Sequence, residues 1–415
     1  MSKYDKASLV HIPSGYKSGT LYNVLPNDAD GDFDFFRGST ATRVDKNGLI
    51  ETIATGTPRL DYPLLDGVVQ DNPTLLLEPQ ATNVIINSNI FTPNTSVVVD
   101  TNNTISPDGT LNAVKVTANS GTSLKLVNTN GASSNTYRFS VFAKKNTHNI
   151  IQLGGGGITE HANFNLETGE YSSNGSMDYY GNGWYRCTVQ FSAGTPLSHY
   201  ISFSDSLSAA RLSTSVSDGS FYLFGMQSET TSYTTSYIPT SGATVTRSAE
   251  GANGAEADFN DSEGVLYANI ADIYDSATSR VISISDGTLN NRVFFKFYTV
   301  SNGIEATLVS SSGGSNPQVT AVTSDTSNYN KIALRYSING FNLWVNGFEL
   351  GSDTVTNTAN NLSDISFDTA SLNDFYGKAK EIGYYDAVLT DAELEALTSY
   401  TSFTNMANEL NLTIK

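Results

Sequence analysis

The residues in this chain best suited to chemistry are aromatic. Tyr179, Tyr180, Trp184 and Tyr185 crowd one ten-residue run, Met177-Asp-Tyr-Tyr-Gly-Asn-Gly-Trp-Tyr-Arg186. Exposed rings beside hydrogen-bonding side chains suit a sugar, because a ring covers the apolar face of a pyranose while polar groups take its hydroxyls. Packing competes with that reading, since Trp184 opens a strand-like run and large aromatics anchor sandwich cores. Trp344 poses the same choice. It alternates with Leu343 and Val345 and so points to the other face of its strand, which is either an open groove or a covered one.

Catalytic chemistry is poorly supplied. The four histidines, His11, His148, His161 and His199, sit in no metal-ligand or nucleophile motif. The nearest carboxylate pair, Glu167 and Glu170, flanks Thr168-Gly169 and reads as a hairpin tip facing water, where nothing raises a pKa. The run Gly154-Gly-Gly-Gly157 lacks the Lys-Ser/Thr of a phosphate loop. The expectation is no enzyme and no cofactor. A structural Ca²⁺ is the ion such a composition suits, with Asp258 and Asp374 as candidate ligands.

The partners are bounded by charge. The 415 residues carry 41 Asp plus Glu against 23 Lys plus Arg, a formal charge of −18. That surface repels phosphate backbones and anionic lipid, so nucleic acid is not an expected partner. No apolar window suits membrane insertion, and the opening Met-Ser-Lys-Tyr-Asp-Lys6 does not read as a secretion signal. Cys187 is the single cysteine, which excludes an internal disulfide and a Cys-based zinc site. These features predict a chain made in a cytoplasm, with the composition of an external adhesive protein.

The elements that must position these residues are strands. Asn-Gly occurs eight times and Asp-Gly five, and both dipeptides suit two-residue hairpins. Between them lie short alternating runs such as Tyr137-Arg-Phe-Ser-Val-Phe-Ala143. Many short strands with regular turns predict an all-β chain of antiparallel β-sandwich, jelly-roll domains. The hairpin Lys331–Gly347 puts Ile332, Leu334 and Tyr336 on one face before a turn at Asn339-Gly340. One short helix is predicted near the C-terminus, where Thr390 with Glu393 makes a capping box and Leu389 with Leu394 a hydrophobic staple. The alternation in Asn408-Glu-Leu-Asn-Leu-Thr-Ile-Lys415 suggests a last strand pairing with a neighbour. Small-residue joints divide the chain into an N-terminal segment 1–83, a first sandwich 84–247, a second sandwich 256–400 and a tail 401–415.

Several motifs resemble those of fibre proteins from tailed bacteriophages, the crAss-like and marine head or tail fibre type. They are Tyr4-Asp-Lys-Ala-Ser-Leu-Val-His11, Gly31-Asp-Phe-Asp-Phe-Phe-Arg37, Pro58-Arg-Leu-Asp-Tyr62 and Leu75-Leu-Leu-Glu-Pro-Gln-Ala-Thr-Asn83. The end of the first sandwich, Phe221–Glu229 with Thr235-Ser-Tyr-Ile-Pro-Thr240, is similar to carbohydrate-binding-module-like domains of such proteins. The Asn339–Gly347 hairpin resembles the laminin-G or concanavalin-like lectin group. The resemblance implies a virion fibre or spike subunit, usually a homotrimer, displaying lectin-like domains for host-surface glycans. A head (capsid) fibre is favoured over a tail fibre. The alternatives are a glycan-degrading fibre enzyme or a decoration protein without a receptor. On this reading Arg37, Arg43, Arg59 and Glu78 either contact the capsid or a neighbouring subunit, or form ion pairs that fix the path of a short segment.

Overall fold

The computed structural model describes residues 4–93, 96–119, 125–129, 135–155, 160–192, 198–213, 216, 218–275, 278–314, 316–323, 325–338 and 340–409. The architecture is all-β, two antiparallel sandwiches with helix confined to Asp391–Thr398 and Phe403–Glu409 among these residues.

The first sandwich stacks a six-stranded sheet on a four-stranded one. The larger runs, edge to edge, Val97–Ile105, Leu111–Ala118, Ser220–Glu229, Thr136–Lys145, Trp184–Ser192 and Gly175–Tyr179. The smaller runs Lys125–Thr129, Ser198–Phe203, Ile150–Gly155 and His161–Asn165. Alternation decides what each strand buries. In Thr136–Lys145 the odd residues Phe139, Val141 and Ala143 enter the core beside Cys187, Val189 and Ile201. The even residues Arg138, Ser140 and Phe142 therefore face outward from that core. A register shift between Ser140 and Phe142 opposes Gly225, whose φ of 62° admits no ordinary side chain and whose missing Cβ leaves room for Phe142 and Tyr237.

The second sandwich is assembled from both ends of the chain. Its larger sheet runs Phe348–Asp353, Gly340–Val345, Asn330–Ser337, Glu263–Asp272, Gly377–Tyr385, Thr74–Leu77 and Leu60–Asp61, with Leu9–His11 also on Gly377–Tyr385. The predicted hairpin is present in register, with Ile332 opposite Val345 and Tyr336 opposite Phe341, while its turn residue Asn339 lies outside the described residues. The facing sheet has six strands, Ala255–Glu256, Asp364–Ser366, Arg280–Ser285, Arg292–Phe297, Gly303–Val309 and Gln318–Val322.

This placement corrects the reading of residues 1–83 as a segment of its own. Leu75 pairs with Ala379 and Leu9 with Tyr384, so those N-terminal strands are members of the second sandwich's larger sheet, while Phe35 pairs with Ala252 in a separate four-stranded sheet. The physical reason is visible at Leu75-Leu-Leu77. All three leucines are buried, and an apolar run covered on both faces needs partners on both sides. The first sandwich is an insertion. Its entry strand Ala81–Asn83 and exit strand Val245–Arg247 pair with one another, Ala81 opposite Arg247.

The helix Asp391–Thr398 begins with the expected capping box at Thr390 and Glu393. Its Leu394 and Leu397 close over Trp344, Tyr267 and Ala333 on the outer face of the larger sheet. The predicted tail strand does not extend back to Asn408, which is helical, and residues 410–415 lie outside the described residues.

Candidate functional site

The four N-terminal candidates fall in two places. Arg37, Arg59 and Glu78 are almost fully buried, and they meet Arg247 and Glu250 where the inserted sandwich leaves and rejoins the second one. Arg37 donates to Glu250 at 2.8 Å and to the carbonyls of Ser39 and Ala54. Arg59 bridges both acids, pairing with Glu250 and, at 2.8 Å, with Glu78. Arg247 reaches Glu78 at 2.8 Å and donates to the Pro79 carbonyl. Ser236 completes the cage by donating its N–H and hydroxyl to Glu78. Burial alone would raise the Glu78 carboxyl, but Arg247 and Arg59 hold it down to about 2. Burial likewise opposes charge on Arg59, yet Glu250 and Glu78 keep its pKa raised. Of the two roles open to them, Arg37, Arg59 and Glu78 form the ion pairs that fix the chain's path, at an internal joint. Arg43 differs, with its guanidinium on Glu51 at 2.7 Å near the surface.

The aromatic candidates also divide. Trp184 is buried and donates its indole N–H to the Ile105 carbonyl at 3.1 Å, so it is packed as core. Trp344 is buried beneath the helix and is core too. Alternation placed Trp344 on the outer face correctly; the cover came from a helix forty-odd residues later, which the strand pattern does not contain. Tyr179 is held between Tyr185, at a centroid distance of 4.7 Å, and Gly67. The turn at Gly67, with φ of 72°, lies so close to the Tyr179 ring that any Cβ would strike it. Tyr179 is thus a docking post for the hairpin of Leu64–Leu65 and Val68–Val69. Tyr185 is half-buried against the first core. Tyr180 packs edge-on against Phe142 at 4.9 Å and keeps part of its ring open.

That open part faces a cleft of about 540 Å³ between the first sandwich, the N-terminal strands and the second sandwich. Arg43, Asp61, Asp178, Tyr180, Tyr233, Asp272 and Lys378 are among its walls. Asp178 is exposed to solvent on its strand yet surrounded by protein, the condition of a group in a concavity, and desolvation raises its carboxyl against the pull of Arg186 and Lys378. Asp272 sits deeper. Burial pushes it up to about 7, with the N–H groups of Tyr274 and Ile273 and the charge of Arg280 offsetting only part of the cost. Tyr233 stacks on Tyr274 at 6.1 Å, and its buried hydroxyl has no hydrogen-bond partner among the described residues. The cleft therefore offers an aromatic edge, two carboxyls that desolvation pushes up and cations at one wall. Asp178 was signalled by its place in the aromatic run; Asp272 had no signal, being the last residue of an apolar strand.

The calcium candidates are not brought together. Asp258 is exposed and Asp374 accepts the Tyr376 hydroxyl at 2.8 Å. Among the described residues no group of three or more His, Cys, Asp or Glu could hold a metal. His11 is buried edge-on to Phe33 and bonded to Asn23, and burial lowers it to about 4.

No family model matches the chain, and a search of curated proteins finds no match. Among solved structures it is similar to CBM40 of the Ruminococcus gnavus IT-sialidase bound to α2,3-sialyllactose, at TM-score 0.30 and 16% identity over 34% of this chain and 84% of that one. It is also similar to domain 4 of AbnA, a GH43 extracellular arabinanase from Geobacillus stearothermophilus, in complex with arabinotriose. There the TM-score is 0.31 and the identity 12%, over 36% of this chain and 73% of that one. Likeness at this level carries no argument about a ligand.

Proposed function

We propose that the chain is a saccharide-binding protein that does not cleave its ligand, displayed as a homotrimeric fibre or spike subunit on a phage particle. The observation that carries the binding half is the cleft at Tyr180, Asp178 and Asp272. A partly open ring stands there beside hydrogen-bonding groups that are enclosed yet accessible, as a saccharide site requires. The virion half rests on the resemblance of the N-terminal motifs and on the acidic surface, with host-surface glycans as the ligand and a head position favoured.

The cleaving alternative draws on Asp272, whose carboxyl burial pushes up to about 7, into the range of a general acid. It needs a second carboxyl across the bond, and Asp61, which lines the same cleft and accepts the Val44 N–H at 2.9 Å, is the acid at hand. The test is a bacterial glycan array with wild type, Tyr180→Ala and Asp178→Asn, followed by a reducing-end assay on every ligand retained. Binding that falls in both variants, with no new reducing ends, supports the proposal. Unchanged binding in both removes the cleft from it, and reducing-end release lost in Asp272→Asn establishes the enzyme.

A further inference from the structure

A second recess lies on the same outer sheet face, away from the interdomain cleft. It has a volume of about 340 Å³ and is lined by Arg138, Asn174, Ser176, Thr188, Gln190 and Ser192, with Glu160 also on its wall. Its floor follows from strand alternation. Arg138 pairs with Gln190 across two strands, and Ser176 pairs with Thr188 on the next, so four polar side chains share one face.

Arg138 is the unusual member. Its Nε is buried without a hydrogen-bond partner, and no ion pair or hydrogen bond to its guanidinium is found among the described residues. Its cross-strand neighbour Glu229 does not neutralise it. Glu229 is buried and already accepts from the Thr235 N–H at 2.8 Å, the Thr235 hydroxyl at 2.7 Å and Gln227 at 3.0 Å. Desolvation raises the Glu229 carboxyl, against the hydrogen bonds from Thr235 and Gln227 and the charge of Arg186. Desolvation also lowers Arg138, with Tyr274 and Glu229 close enough to offset part of that cost. Tyr274 is 41% exposed and belongs to the ring pair with Tyr233, so an aromatic surface lies near the cation.

A half-desolvated guanidinium with unused donors is costly unless an anion completes it. A bare inorganic ion would leave the hydroxyl and amide groups of Ser176, Gln190 and Asn174 unemployed, while the buried Thr188 hydroxyl already accepts from Thr234 at 3.2 Å. We propose that this recess binds an anionic saccharide, with Arg138 taking the carboxylate or sulfate in a forked hydrogen bond. The neighbouring hydroxyl and amide side chains take ring hydroxyls, and Glu160 accepts from a hydroxyl on the opposite side. The inference rests on the saccharide-binding reading but on a different surface, so the two can fail separately.

The experiment is an array of carboxylated, sulfated and neutral oligosaccharides, probed with the full chain, Arg138→Gln, Arg138→Lys and Tyr180→Ala. Retention of anionic members is expected, weakened at least ~30-fold in Arg138→Gln, as for loss of one partner of a buried charge pair. Arg138→Lys should recover part of it, and Tyr180→Ala should leave it unchanged. Thermal midpoints should be the same for wild type and Arg138→Gln, since no internal partner depends on that guanidinium. Carboxylated and sulfated arms distinguish the two anion types. The proposal is overturned if no anionic member binds, if Arg138→Gln binds as wild type, if sodium sulfate alone competes as well as the sulfated sugar, or if Arg138→Gln melts well below wild type. Loss in Tyr180→Ala with Arg138→Gln unaffected would place all binding in the cleft.

Discussion

The joint between the sandwiches buries its arginines and the outer face of the first sandwich half-buries Arg138, and they treat the charge in opposite ways. At the joint, Arg37, Arg59 and Arg247 surround Glu78 and Glu250, and each acid is shared by two guanidiniums. On the outer face, Arg138 has no such acid, because Glu229 beside it is spent on Thr235 and Gln227. A buried charge that is matched internally holds chain segments together; one left unmatched is kept at a cost, which a ligand can remove. The same contrast separates the aromatics. Trp184 and Trp344 are packed and covered, while Tyr180 at the cleft and Tyr274 on the surface keep part of their rings open.

The comparison breaks most sharply at Glu250. Glu250→Ala would leave Arg37 without its acid and Arg59 with one, and loss of one partner of a buried pair costs about 3–5 kcal/mol. The urea midpoint should fall accordingly, and an unchanged midpoint would mean the joint does not hold the insertion. Trp344→Ala should cost a similar ~3–5 kcal/mol, measured by chemical denaturation, because the helix would close over a void. A binding defect with normal stability would instead make Trp344 a ligand platform.

Acid sharpens the comparison next. His11 has a native value of about 4 against 6.5 in the open chain, so the unfolded state takes up its proton first. The stability that neutral His11 contributes is complete above pH 6.5 and is lost as pH falls toward 4, a swing of about 3 kcal/mol. Glu78 acts lower, its contribution being lost between 4.5 and about 2. Asp272, raised from 3.8 to about 7, favours the fold as pH falls over the same range. The His11 effect is therefore read as the difference between wild type and His11→Gln in denaturation curves from pH 8 to 4, with wild type losing relative stability toward pH 4. The smallest effect is expected at Arg138→Gln, within about 0.5 kcal/mol of wild type, as for a side chain without a protein partner.

Much of this fold was legible because alternation and turn chemistry act locally. The strand Thr136–Lys145, the hairpin pairing Ile332 with Val345 and the capping box at Thr390 all formed as their residues dictate. Non-local pairing was not legible. Nothing near Leu75 says that its partner is Ala379, and nothing near Arg59 says that Glu250 will complete it. Of the motif residues Arg37, Arg43, Arg59 and Glu78, to which an ion-pair role was open, Arg43 pairs with Glu51 instead and the other three meet at the joint. Their partners lie across an insertion of about 160 residues, so the role could be settled only in three dimensions. The site was half legible for the same reason. The run 177–186 marks one wall of the cleft, while Asp272 and Lys378 arrive from the other sandwich.

The most direct test of the central claim is a titration of the full chain and its Tyr180→Ala variant with the bacterial surface saccharide best retained on an array. The chain length of that saccharide is measured before and after incubation. Saturable binding by wild type, at least ~10-fold weaker in the variant, with the polymer length unchanged, is the result predicted for a stacking contact worth about 1.4 kcal/mol. Equal isotherms for the two proteins, or a shortened polymer, would contradict it.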